Sequence, residues 1–179
     1  MSFDIVIAAD KRWGIGKDQS LPWPKLRGDL RHFKAITSTA SAGQRNAIVM
    51  GRKTWQSKEV AEQPLPGRLN IVVSRAGLTV KEGVVVAPTL DAAITGQPVE
   101  STFIVGGAGL LVEALERPEL RYVYLTRVDD TYECDIVMPD LDERGFTRDP
   151  MWAGSLRGDE HGVTYRIERL VPPARPASP

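Results

Sequence analysis

The sequence predicts an α/β fold: a single domain with a central, mainly parallel twisted sheet of about eight strands. A C-terminal antiparallel hairpin closes the sheet, and about four helices flank it. Three observations carry this prediction. Short runs of branched apolar residues alternate with helical patterns from Phe3 to about Glu116, as in consecutive strand–helix–strand units. Those runs are continuously apolar, which suits strands covered on both faces. After Thr126 the pattern changes to alternating polar and apolar residues around a glycine-bounded turn, the signature of an antiparallel pair.

The elements follow in order. Phe3 to Ala9, Ala47 to Met50, Leu69 to Val73, Val84 to Ala87 and Thr102 to Val105 read as buried strands. Between the first two, Pro24 to Thr37 reads as an amphipathic helix. Leu26, Leu30, Phe33 and Ile36 form one apolar stripe, and Pro24 suits the first helical position. Further helices are expected from near Lys53, over Leu90 to Thr95 with Thr89 as cap, and over Gly107 to Glu116. Tyr122 to Thr126 is another strand. Trp152 to Arg157 and Val163 to Leu170 should form the hairpin around Gly158 to Gly162, with Thr164 to Leu170 as a half-wet edge strand. Residues 1–171 would be one catalytic domain, and the Pro-rich tail 172–179 is expected to be disordered.

Composition narrows the partners. Lys plus Arg and Asp plus Glu balance at 23 each among 179 residues, with no long basic run, which argues against nucleic acid or an anionic membrane. No apolar run is long enough to span a bilayer, and the N-terminus does not read as a secretory signal. Cys134 stands alone, so an intrachain disulfide is impossible and a cytoplasmic home is expected; the chain is expected to act as a monomer. Two histidines and one cysteine offer no zinc spacing, so no metal is expected. His32 reads as a solvated helix-face residue and His161 as part of the hairpin turn.

One acid stands out. Asp29 falls three residues after Leu26 and four before Phe33, so its carboxylate lies along the apolar stripe rather than among Arg27, Arg31 and Lys34. A carboxylate in apolar surroundings is costly and is more often kept for binding or chemistry than for stability. A stripe-edge residue reaching water is the plainer alternative. The other candidates sit where parallel strands end, the usual ligand edge of such a sheet. The loop Lys11 to Trp23 holds Gly14 and Gly16, which allow close backbone approach or lid motion, and an apolar wall of Trp13, Leu21 and Trp23. Gly51-Arg52-Lys53-Thr54 puts two cations and a hydroxyl at a strand-to-helix junction suited to phosphate. Ser74-Arg75 adds another pair, and Gly106-Gly107-Ala108-Gly109 a glycine junction. Arg68 could hold a carboxylate or simply be exposed. Without a hydrolytic nucleophile motif, this set favours reduction by a bound nucleotide.

Taken together, Ile5-Val6-Ile7-Ala8-Ala9, Trp13-Gly14-Ile15-Gly16, Leu21-Pro22-Trp23, Asp29-Leu30-x-x-Phe33-Lys34, Met50 to Trp55, Pro64 to Asn70, Val105-Gly106-Gly107 and Tyr124 to Arg127 resemble dihydrofolate reductase over almost the full length. The resemblance implies that fold and NADPH-dependent reduction of dihydrofolate to tetrahydrofolate for one-carbon metabolism, a reaction blocked by antifolates. Hydride would go to C6 with protonation at N5, and Asp29 would raise the basicity of N5 electrostatically.

Asp29 would also bind the pterin, assisted by Thr126 through a water, with Trp23 and Leu21 in the mobile loop completing the catalytic set. Val6, Ile7, Leu30, Phe33, Lys34, Leu65 and Val105 would border the substrate, and Arg68 would pair with its glutamate carboxylate. Ala8, Ile15, Gly16, Gly51, Arg52, Lys53, Thr54, Val73, Ser74, Arg75, Val105, Gly106, Gly107, Ala108, Gly109, Leu110 and Leu111 would hold NADPH. The cations at 52 and 75 would favour its 2′-phosphate. Three positions depart from the family pattern: Leu111 replaces a common tyrosine, Lys58 a usual apolar residue in a lengthened loop, and Ile136 a common hydroxyl residue. The nearest rival is a reductase of the same fold acting on a riboflavin-pathway pyrimidine. A non-catalytic NADPH- or folate-binding module is the rival of another class.

Overall fold

The computed structural model describes residues 1–174. Its strands are β1 (Phe3–Ala9), β2 (Gly14–Gly16), β3 (Asn46–Gly51), β4 (Arg68–Val73), β5 (Val84–Ala87), β6 (Thr102–Ile104), β7 (Leu120–Val128), β8 (Ile136–Val137), β9 (Thr147–Arg148), β10 (Leu156–Glu160) and β11 (Val163–Val171). The helices are α1 (Arg27–Ser38), α2 (Arg52–Trp55), α3 (Leu90–Ile94) and α4 (Ala108–Leu115). The main sheet runs β10-β11-β7-β1-β6-β3-β4-β5, with β9 also on β11. Every pairing from β7 to β5 is parallel, and β11 joins β7 antiparallel. The predicted class therefore holds. The carboxyl ends of β1, β3, β4 and β6 share one edge of the sheet.

The central strands form because both their faces are covered. In β3, Ala47 and Val49 join a cluster with Ile5, Ile71, Leu111 and Leu125, while Ile48 and Met50 face Trp55 and Val72. Alternate residues thus enter opposite layers, as a pleated strand demands. α3 and α4 contribute Leu90, Ile94, Leu111 and Leu115 to the first layer. Phe33 of α1 and Leu65 pack on the second. A third cluster holds Trp23, Leu26, Tyr165 and Ile167. Thr89 caps α3 by accepting from Ala92 N at 3.2 Å. Among the described residues no helix is long and apolar enough to cross a membrane.

Several sequence expectations need correction. α1 begins at Arg27, so Pro24 precedes the helix, and Leu26 at its cap position offers no side-chain acceptor. Of the stripe only Leu26 is fully buried; Leu30, Phe33 and Ile36 are half-buried, so this face of the helix is not wholly covered by the sheet. Ile7 and Ala8 of β1 are half-buried too, so that strand is not covered throughout. The helix near Lys53 is a single turn.

The hairpin turn is only His161-Gly162, both at positive φ, so Gly158 to Glu160 belong to β10. β11 is not an edge: β10 lies outside it, and its wet residues face solvent from an interior strand. β2 pairs with β8, an extra ribbon the sequence did not announce. Beyond β11, Pro172 to Ala174 carry no helix or strand, and the rest of the expected tail lies outside the described residues.

Candidate active site

α1 and the sheet's carboxyl edge form the two walls of the site. Asp29 projects from the first turn of α1, half-buried, toward β7. There the Thr126 hydroxyl donates to Asp29 Oδ1 at 2.6 Å. The bond ties Thr126 to the acid directly. Thr126 lies in register with Ala8 of β1 and Ile167 of β11, so three strands fix it. Burial pushes the Asp29 carboxyl above the ordinary carboxylate range; the Thr126 bond opposes this, and the nearby Glu160 charge adds to it. Among the described residues no cation pairs with Asp29. Such a carboxylate is short of donors, and a ligand bearing two adjacent N–H groups would satisfy it.

Further along α1, Leu30 and Phe33 are half-buried and Lys34 is exposed. Thr37, buried and one turn beyond Phe33, donates to Phe33 O and accepts from Arg68 Nη1 at 2.7 Å. The Arg68 guanidinium also sits 5.9 Å above the Phe33 ring. With its Nε donating to Pro66 O, it is held against α1 rather than loose in solvent, and Nη2 has no hydrogen-bond partner among the described residues. Leu65 stays beside it because Asn70 grips its backbone, accepting from Leu65 N and donating to Leu65 O. The sequence motif contained Asn70 but gave it no task, and Thr37 carried no signal at all.

The loop expected to act as a lid is anchored at both ends. Asp10, just after β1, accepts from the amides of Arg12, Gly14 and Tyr132. Gly14 serves close packing: a Cβ there would lie 2.3 Å from Cys134 Sγ. Ile136 packs beneath Gly16, and the Asp135 carboxylate accepts from Asp18 N at 3.0 Å, so the loop is secured without a hydroxyl at 136. Ile15 leans on the core. Leu21 and Trp23 pack on the third cluster with Ala8; the Trp23 ring meets Tyr132 edge-on, and its buried Nε1 has no partner among the described residues. The lengthened loop also has a function in the fold. Lys58 N donates to Gln19 O, while Glu59 accepts from Ser20 Oγ and Leu21 N at 2.7 and 2.8 Å.

At the other end of the edge, β3, β4 and β6 bring the glycine and basic junctions together. Gly51 N donates to Gly106 O at 2.7 Å. Gly106 has φ +121, and a Cβ on Gly106 or Gly107 would meet Thr54 Oγ1 at 3.4 or 3.3 Å. Arg52, Lys53 and Arg75 are exposed, and none is in an ion pair among the described residues. Ser74 is buried, and its hydroxyl donates to Gly77 O. Val73, Val105 and Ala108 are half-buried, Gly109 is exposed, and Val6 is buried. Leu110 and Leu111 are core residues; Leu111 is fully enclosed, so its side chain presents no cleft surface.

His32 differs from expectation. It lies between Tyr124 and Trp152, with ring centroids 6.4 and 5.8 Å away, and its Nε2 is buried without a partner among the described residues. Burial lowers its pKa.

Known proteins resemble the chain in sequence and fold. The family model described as "Dihydrofolate reductase" matches residues 2–167. The bifunctional dihydrofolate reductase-thymidylate synthase of Glycine max is 39% identical over 181 residues, covering 95% of this chain and 33% of that protein. The chain thus spans about a third of the length of the plant bifunctional relatives it matches. Dihydrofolate reductase of Rattus norvegicus is 34% identical over 174 residues, covering 91% of this chain and 93% of that one. The solved Schistosoma mansoni dihydrofolate reductase aligns with a TM-score of 0.83 at 34% identity, covering 97% of this chain and 99% of its own. With the family model matching residues 2–167 and relatives 34% identical over nearly their whole length, the chain belongs to the dihydrofolate reductase family.

Proposed function

We propose that this chain is an oxidoreductase that reduces 7,8-dihydrofolate to 5,6,7,8-tetrahydrofolate with NADPH, acting as a cytoplasmic monomer on small molecules. The observation that carries the reading is Asp29: a half-buried carboxylate without a cation partner, aimed from α1 at the edge where β1 and β7 end. The glycine crossing of β3 and β6 suits close approach of a dinucleotide, since side chains there would crowd Thr54. Arg52, Lys53 and Arg75 are exposed and without an ion pair among the described residues, so they can meet its phosphates, and a 2′-phosphate is what such cations discriminate. When bound, NADPH supplies the hydride delivered to C6.

The chain's own residues do the rest. Asp29 accepts from the pterin N–H donors and, with Thr126 holding one oxygen, keeps its charge near the heterocycle. That fixed negative charge raises the basicity of N5, where the proton arrives. Phe33, Leu30 and Leu65 hold the aminobenzoyl ring, Arg68 takes the glutamate carboxylate, and Leu21 and Trp23 exclude water. The test is loss of absorbance at 340 nm with NADPH and dihydrofolate. Asp29→Asn should cost on the order of 10²-fold or more in hydride transfer at pH 7, and far less near pH 5, where substrate protonates without help. Near-normal transfer by the variant at pH 7 would overturn the role of Asp29, and no turnover by the unmodified chain would overturn the whole reading.

A further inference from the structure

α1 starts without a cap of its own, and an acid from the far end of the chain supplies one. Glu160, the last residue of β10, accepts from Arg27 N through Oε2 and from Gly28 N through Oε1, both at 2.7 Å. The Tyr165 hydroxyl of β11 donates to the same Oε1 at 2.7 Å. The fit is close: a Cβ on Gly28 would lie 2.0 Å from the Tyr165 hydroxyl and 3.0 Å from Glu160 Oε1. Asp29 is the next residue. We propose that Glu160 is the positioning residue for Asp29, clamping the first amides of α1 and standing as a permanent negative charge behind the catalytic carboxylate. This rests on the reading of Asp29 given above.

Two independent effects follow from the geometry. Oxygens on both amides fix the height and rotation of the helix start, and hence where Asp29 enters the cleft. The charge itself acts on Asp29. From the elements packed on α1, Asp29 is faced by Glu160 of β10, the Tyr165 phenol of β11 and the neutral Thr126 hydroxyl of β7; Arg31 and His32 are its neighbours on α1. The Tyr165 bond and the two amides pull the Glu160 carboxyl down to about 2, and burial with the Glu160 bond pushes the Tyr165 phenol up to about 12. Glu160 is therefore ionised and Tyr165 neutral throughout the working pH range, and the repulsion on Asp29 is constant.

The test separates position from charge. Carbon-13 carboxyl NMR follows Asp29 in the ligand-free chain, its signal assigned with Asp29→Asn, in the unmodified protein, Glu160→Gln and Glu160→Asp. Glu160→Gln removes the charge and should move the Asp29 titration to lower pH. Glu160→Asp keeps the charge but shortens the reach, so the titration should stay while kcat/KM for dihydrofolate falls roughly tenfold, in kcat more than in KM. An unmoved titration in Glu160→Gln overturns the electrostatic half, and wild-type kcat/KM in Glu160→Asp overturns the positioning half. Should Glu160→Gln fail to fold, Glu160→Ala serves instead: it also removes the charge, and an unmoved Asp29 titration there overturns the coupling. The NMR readout needs no turnover, so it stands even if dihydrofolate is not the substrate.

Discussion

Asp29 works at the expense of the fold that holds it. Its folded pKa is raised by burial above the unfolded value, so the folded chain takes up the proton more readily. The stability tied to this group is therefore fully present below about pH 3.9, the unfolded value, and is lost as pH rises through the folded one. At pH 7 the charge is a net burden. Asparagine carries no charge and still accepts the Thr126 hydroxyl, so Asp29→Asn should melt a few degrees above the parent at pH 7, converging with it toward pH 4. Thermal melts at both values check this, and a variant less stable at pH 7 counts against it. The acid itself was legible from its spacing against Leu26 and Phe33. Its partner was legible only through family resemblance, because nothing local in a sequence links residues 97 apart. His32 was misread for a similar reason: Arg31 and Lys34 make its helix face look wet, and the rings that cover it, Tyr124 and Trp152, come from far along the chain.

Among the elements, the interior parallel strands were the most readable, since cover on both faces writes a continuous apolar run that needs no knowledge of neighbours. β2, β8 and β9 have three residues or fewer, too short to show any period. Alternation in β11 correctly signalled a wet face but could not say that β10 would lie beside it. The loop after α2 was opaque because its role is to meet another loop. Glu59 there binds the Ser20 hydroxyl and the Leu21 amide, tying the lid to the far rim of the cleft. These bonds are exposed, worth about 0.5–1.5 kcal/mol each. Glu59→Ala should thus speed amide exchange at Leu21 and raise KM for dihydrofolate roughly two- to tenfold. The melting temperature should barely move, since no core contact is lost. Unchanged protection at Leu21 would show that the lid keeps its place without the latch.

For the molecule as a whole, the decisive feature is that β1 lies in the middle of a sheet whose neighbouring strands come from beyond residue 100. Few of these contacts are local, which makes folding slow and dependent on late parts of the chain. The C-terminal hairpin is the clearest case. It covers the outer edge of β7, pairing Ile167 with Thr126 and Leu170 with Val123, and it carries the Glu160 clamp for α1. Val163, Ile167 and Leu170 are all buried there. At about 1.5–3 kcal/mol per buried apolar side chain, those three supply on the order of 5–9 kcal/mol, against a whole-domain stability of about 5–15 kcal/mol. Removing the hairpin also bares the β7 backbone, takes Glu168 from Arg127, which keeps only Asp142, and leaves Asp149 without Arg169. A chain ended at Pro150 should accordingly show no cooperative thermal transition by calorimetry and should self-associate through the exposed edge. A sharp transition near that of the full chain would mean that the sheet closes at β7 and that the hairpin is only an accessory to the site.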